Sequence, residues 1–158
     1  MTVNFSDSLK AKADAIERPP VIPTGIYVGR VTKHPELKVD AFKDKNDCMY
    51  DVVDFMIAPT APHDVDEDEL KAFGNITSAM PLRHRFMFNK DDEVRFDQTL
   101  FSLKQFLMKS LAVSFEGTLS QALNDAMNAQ CLVFVKHRPD PNNEDVIYTE
   151  VAKTAPLE

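Results

Sequence analysis

The segment PLRHRFMFNK, residues 81 to 90, combines side chains that bind phosphates with side chains that stack on nucleobases. In an extended strand, Arg83 and Arg85 lie on one face and Phe86 and Phe88 on the other, because successive side chains alternate. Arginine presents a planar fork of charged donors to a phosphate, and stacking on an aromatic ring is worth about 1 to 3 kcal/mol per base. The segment therefore indicates either a strand that contacts nucleic acid or an ordinary amphipathic strand with solvent-facing arginines.

Cations in two other predicted strands fit the same chemistry. Arg30 and Lys33 belong to the first strand, and Lys136 and Arg138 stand at the exit of the fourth. If the strands close into a barrel, these side chains line one basic groove; otherwise they only solubilise strand ends. With Tyr50 of the second strand as a stacking group, the candidate nucleic-acid site consists of Arg30, Lys33, Tyr50, Arg83, Arg85, Lys136 and Arg138.

Signatures of catalysis are missing from the chain. The motifs GxxxxGK[ST], GxSxG, HExxH and CxxC do not occur, so the usual sequence evidence for nucleotide hydrolysis, serine esterase chemistry and zinc chemistry is lacking. We therefore expect a non-enzymatic protein with no catalytic residue, no cofactor and no bound metal ion.

The composition is that of an ordinary globular domain with an acidic balance. The 158 residues are 44% hydrophobic and carry a formal net charge of −7. Cys48 and Cys131 lack the spacing of a disulfide framework or a zinc site, which predicts a reducing, cytoplasmic environment. No stretch approaches the roughly 20 apolar residues that cross a bilayer, so no membrane partner is expected. The net charge argues against a wholly basic domain but leaves room for a local basic groove.

The hydrophobic pattern predicts a mainly β protein with a helical insert. Strands are expected over residues 24–38, 49–59, 81–89, 129–139 and 145–153, because these stretches alternate or are rich in β-branched and aromatic residues. Asp97 is expected to cap a helix whose apolar stripe is Leu100, Leu103, Leu107 and Leu111, with Phe106 adjacent to it. Thr118 with Gln121 is expected to open a second helix through Met127.

Three strands, a helical insert and two more strands are the chain order of the OB-fold, a small five-stranded Greek-key barrel that binds oligonucleotides or oligosaccharides. We expect this barrel over residues 19–153, after an N-terminal arm or short helix at 1–18 and before a tail at 154–158. Another small barrel and an α+β sandwich are the alternatives. The acidic stretch of residues 64–69 is expected in a solvated excursion between strands, and this excursion is expected to carry a short helix near residues 67–73.

Four segments, PPVIPTGIYVGRV, FDQTLFSLKQFLMKSLAV, EGTLSQALNDAMNAQCLVFV and EDVIYTEV, carry a resemblance that runs over residues 19 to 151. In their order and turn residues they resemble the small OB-fold single-stranded-DNA-binding proteins of bacteriophages. The resemblance implies protection of single-stranded DNA, or RNA, during phage replication or recombination in the host cytoplasm. It also implies replication or recombination proteins, or further copies of the chain, as partners.

The acidic net charge also fits a second hypothesis, in which the protein binds other proteins and not nucleic acid. The same small barrel can serve as a protein–protein module, a phage structural or regulatory component that forms an oligomer or partner complex indifferent to oligonucleotides.

Overall fold

The computed structural model describes residues 5–9, 21–114 and 116–157. Its strands are β1 (Gly25–Val31), β2 (Glu36–Lys43), β3 (Met49–Asp64), β4 (Leu82–Asn89), β5 (Gln130–Asp140) and β6 (Asn143–Ala155). Its α-helices are α1 (Phe5–Ser8), α2 (Glu67–Phe73), α3 (Glu93–Gln105) and α4 (Leu119–Asp125), with a 3-10 turn at Ile76–Ser78 and a π turn at Phe106–Ser110. The mainly β class with helices between the third and fourth predicted strands is confirmed. Most of the predicted arm, residues 1–4 and 10–18, lies outside the described residues, as do residues 19 and 20.

A single antiparallel sheet is built around β3. The first half of β3 pairs with β2 on one edge and β4 on the other, and its second half pairs with β1. From β1 the sheet continues through β5 to β6. The order β2, β3, β1, β5, β6, with β4 also on β3, makes six strands.

The predicted first strand is in fact two strands, which corrects the expected count of five. A break at residues 32–35 separates β1 from β2, although both follow the same edge of β3. In the break, the Thr32 amide donates to the Met56 carbonyl at 3.1 Å, and Pro35 has no amide hydrogen to offer to a ladder. The chain therefore stays beside β3 while its regular pairing is interrupted.

The sheet is not a closed barrel. β6 passes near β4, with Cα atoms within 8 Å, but no ladder joins these strands in the described part of the chain. The hydrogen bonds between β4 and β6 that would close the expected barrel are therefore absent from the described residues.

β3 is longer than the sequence indicates. Residues 60–64, expected in a loop, continue the strand through Pro62. β4 reaches only as far as Ile57 of β3, so beyond that residue β3 pairs on the β1 edge alone. Strands tolerate proline where one edge is unpaired.

The helices differ from expectation at their ends. α3 begins at Glu93, where the Asp92 carboxylate accepts the Arg95 amide at 3.1 Å, so Asp97 lies inside the helix and does not cap it. The capping box of Thr118 and Gln121 is confirmed. In the predicted apolar stripe Leu100 is exposed, whereas Leu103, Leu107 and Leu111 are buried, as is the adjacent Phe106.

A partly buried histidine packs against the aromatic side chains of the core, and burial keeps its ring neutral at pH 7. The ring of His84 lies edge-on to Phe86 and Phe106, with centroids 4.8 and 4.9 Å away. Burial lowers the pKa of His84 to about 4 from an ordinary 6.5. The unfolded chain therefore binds a proton between pH 6.5 and 4 that the folded chain does not, so stability falls as pH drops through that window.

We expect the titration of His84 to lower the free energy of unfolding by about 2 kcal/mol as the pH falls from 7 to 5. Urea denaturation of the wild type and of His84→Leu at both pH values checks this, because carboxylate contributions are common to the two proteins. An equal loss in both proteins would contradict the assignment of His84 to the core.

Candidate nucleic-acid interface

The buried and the exposed side chains of β4 lie on opposite faces of the strand, as the alternation of the sequence predicts. Leu82, Phe86 and Phe88 are buried in the core. Arg83 and Met87 are exposed on the opposite face, with Met87 48% accessible. We call this face, which looks away from the core, the outer face of the sheet.

The strand register extends the outer face across β3 to β2. Met56 and Asp54 of β3 lie opposite Arg83 and Arg85 of β4. On the other edge of β3, Asp54 lies opposite Glu36 of β2. Partners in an antiparallel ladder point to the same side, so β2, β3 and β4 form one continuous surface.

Asp54 is a buried carboxylate at the centre of this surface. The Arg85 guanidinium donates to both of its oxygens, from Nε to Oδ1 at 2.7 Å and from Nη2 to Oδ2 at 2.9 Å. The Asp54 side chain is 3% exposed and that of Arg85 is 26% exposed. Such a two-point bond fixes the guanidinium in one orientation.

Two more cations act on the same carboxylate. The Lys38 ammonium lies 3.6 Å from Asp54 Oδ2, and Arg83 is near enough to interact electrostatically. Burial alone would raise the pKa of Asp54, but the hydrogen bonds and charges of Arg85, with the charges of Arg83 and Lys38, outweigh it and lower that pKa. Asp54 is therefore ionised at neutral pH and holds three cations around it.

β1 and the break after it add two cations beside this group. Arg30 lies opposite Ala58 of β3, two residues beyond Met56, and is exposed. Lys33 lies in the break that is bonded to Met56. We call Arg30, Lys33, Lys38, Arg83 and Arg85 the basic face.

An aromatic pair stands at the other end of the outer face. The rings of Phe42 and Tyr50 are parallel, with an interplanar angle of 8° and centroids 4.8 Å apart. The Tyr50 hydroxyl donates to Asp44 Oδ2 at 3.1 Å and accepts from Asn89 Nδ2 at 3.3 Å. Burial and the bond to Asp44 raise the pKa of Tyr50, so this ring is neutral and fixed in position.

Lys136 and Arg138 are not brought to the basic face. Arg30 lies opposite Gln130 at the start of β5, and six residues of strand, about 20 Å, separate Gln130 from Lys136. Arg138 instead lies 3.4 Å from Glu150 and over the Tyr148 ring. The seven predicted site residues thus divide into five beside β3 and two at the far end of β5.

Lys38 and Asp54 are members of the candidate nucleic-acid interface that the sequence pattern did not predict. A signal for Asp54 existed, because it is the one charged residue within the apolar run VVDFMI of β3, and buried carboxylates are generally paired. No comparable signal marks Lys38, whose position depends on the pairing of β2 with β3.

The acidic stretch of residues 64–69 serves structural roles away from the basic face. Asp66 caps α2 by accepting the Glu69 amide at 3.0 Å. Burial, together with the charge of Glu69, raises the pKa of Tyr27 on the core side of β1 to about 12. The ion pairs of the described residues do not join this stretch to the basic face.

Comparison with known proteins finds neither a family model nor a curated protein that matches the chain. Within residues 5–9, 21–114 and 116–157, no three His, Cys, Asp or Glu side chains are grouped as a metal site. None of the helices described above is both long and apolar enough to traverse a bilayer.

Proposed function

We propose that the chain is a non-enzymatic protein that binds single-stranded DNA on the outer face of β2, β3 and β4. The observation that carries the proposal is the charge of the basic face. Arg30, Lys38, Arg83 and Arg85 lie on this face and Lys33 lies in the adjoining break, next to the carboxylates of Glu36 and Asp54, in a chain whose net charge is −7. A local excess of positive charge on an acidic chain is the arrangement expected of a phosphate-binding surface.

Phosphates would be bound by the cations that face solvent. Arg30, Lys33 and Arg83 are exposed. Arg85 uses Nε and Nη2 for Asp54, and its remaining N–H groups are available because a guanidinium carries five. Asp54 thus holds the Arg85 guanidinium in place, and the remaining N–H groups of that guanidinium would face the phosphates of the bound DNA.

Bases would stack on the pair formed by Phe42 and Tyr50. Each added ring–base contact is worth about 1 to 3 kcal/mol and tolerates any sequence. Six residues of β3 separate Tyr50 from Met56, about 20 Å of strand. A bound single strand therefore runs along β3, with phosphates at the Met56 end and bases stacked at the Tyr50 end.

The chain order and strand path support an OB-type fold that is open between β4 and β6. In that fold the second and third strands bind oligonucleotides, and we assign β3 with β4, the second and third of the predicted strands, to that role as part of the proposal. With the resemblance to phage single-stranded-DNA-binding proteins, this leads us to propose a cytoplasmic role in phage replication or recombination.

Fluorescence anisotropy of labelled oligo(dT) tests the proposal. If about three phosphates are neutralised, the affinity falls roughly 20-fold between about 50 and 200 mM salt, because each releases counterions with a slope near −0.7. A folded sample that binds no oligo(dT) at low salt, or whose affinity ignores salt, would refute the proposal. Matching measurements with oligo(rU) report any preference for RNA.

A further inference from the structure

The solvent side of α3 carries an apolar stripe that nothing in the described chain covers. Val94, Phe101 and Met108 recur every seven residues from α3 into the π turn. Their exposed fractions are 67%, 61% and 43%. Seven residues are close to two turns of an α-helix, so Val94 and Phe101 project in similar directions, and Met108 follows two turns later in the π turn. Large apolar side chains in such a row indicate a protein contact surface.

The charges beside the stripe are arranged with opposite signs in its two halves. Asp97 and Lys104 are also seven residues apart, and both are exposed. Glu93 extends the acidic half, and Lys109 extends the basic half. Arg95 is the exception in the first half, and its Nε lies 3.5 Å from the Asp92 carboxylate at the start of its own helix.

We propose that this stripe binds a second copy of the chain, with the two α3 helices antiparallel across a twofold axis near Phe101. In that arrangement Val94 lies opposite Met108 of the other copy, and Asp97 lies opposite Lys104. A twofold contact is reciprocal, so each of these pairs occurs twice. The same surface is thus complementary to itself in both shape and charge.

The charge pattern selects this occupant and this orientation. A parallel pair of α3 helices places Asp97 against Asp97 and Lys104 against Lys104, which is repulsive. The antiparallel pair replaces both repulsions with attractions. An unrelated partner would require matching charges of its own, whereas a second copy supplies them from the same sequence.

The proposed dimer contact is separate from the DNA-binding proposal. Thr99, on the other side of α3, donates to the Met87 carbonyl at 3.0 Å and anchors the helix to β4. The stripe contains no member of the basic face. Dimer formation and oligonucleotide binding can therefore succeed or fail independently.

Light scattering after size exclusion, repeated over a range of loading concentrations, tests the proposal. We expect the wild type to approach twice the chain mass of 17.8 kDa and to dissociate on dilution. Asp97→Lys and Lys104→Asp each place like charges opposite one another twice, so each variant alone should be monomeric. The Asp97→Lys/Lys104→Asp double variant restores both attractions and should dimerise like the wild type.

Mixing the two single variants provides a second test that does not need the double variant to fold. One variant carries two lysines at these positions and the other two aspartates, so an equimolar mixture should form a heterodimer. Circular dichroism confirms that each variant is folded, and Phe101→Ser is the matched apolar variant, expected to be monomeric. A wild type that is monomeric at every concentration, single variants that still dimerise, or a mixture that stays monomeric would each overturn the proposal.

Discussion

We expect Arg85→Met to lower the free energy of unfolding by about 3 kcal/mol, because it leaves a buried carboxylate without its main partner. Asp54 has a side chain only 3% exposed, and after the change its nearest cation is Lys38 at 3.6 Å. Methionine keeps the apolar length of the arginine stem, so packing against the neighbouring strand changes little. Urea denaturation at pH 7 measures the loss.

The double variant Asp54→Val/Arg85→Met is the matched control. Replacing both members of a buried ion pair by apolar side chains is often nearly neutral, so we expect it to lie within about 1 kcal/mol of the wild type. Asp54→Val alone should lose about 2 kcal/mol, less than Arg85→Met, because Arg85 can still reach water. Losses that simply add in the double variant would show that the two side chains are not coupled.

The local parts of the fold were predictable because local patterns determine them. The alternation in β4 correctly assigned its buried and exposed faces, since a strand with one face in a core needs apolar residues at every second position. The capping box of Thr118 and Gln121 is predictable because its two hydrogen bonds lie within four residues. These features do not depend on what other strands do.

The long-range parts were not predictable from spacing alone. The break between β1 and β2 depends on a bond from Thr32 to Met56, 24 residues away. The association of Lys38, Arg83 and Arg85 depends on the register of three strands around Asp54. The pattern of β4 predicts two of these cations, but only the strand pairing shows that Lys38 joins them.

The acidic net charge and the basic face coexist because acids outside that face have structural roles of their own. Asp66 caps the start of α2, where a negative charge interacts favourably with the helix dipole. Asp44 organises the turn between β2 and β3 by accepting the Asn46 and Cys48 amides. Charges separated by more than a Debye length, about 8 Å at physiological salt, are largely screened, so distant acids weaken the local field only slightly.

The same screening predicts that position, more than total charge, decides DNA binding. We expect Arg30→Glu/Arg83→Glu to weaken oligo(dT) binding roughly 100-fold, since each lost charged contact costs about 1.5 kcal/mol or more. The slope of affinity against salt should fall by about 1.4, at roughly 0.7 for each phosphate contact on a single strand. Anisotropy titrations at several salt concentrations measure both quantities.

Lys136→Glu/Arg138→Glu changes the net charge of the chain by the same amount, but at the far end of β5. Both side chains are exposed, and the pair of Arg138 with Glu150 lies at the surface, where such pairs contribute about 0 to 1 kcal/mol to stability. We expect this variant to bind oligo(dT) within about threefold of the wild type, because its charges lie beyond the screening distance from the basic face. Equal losses in the two double variants would mean that the overall charge of the chain governs binding and that β3 and its neighbouring strands hold no specific phosphate site.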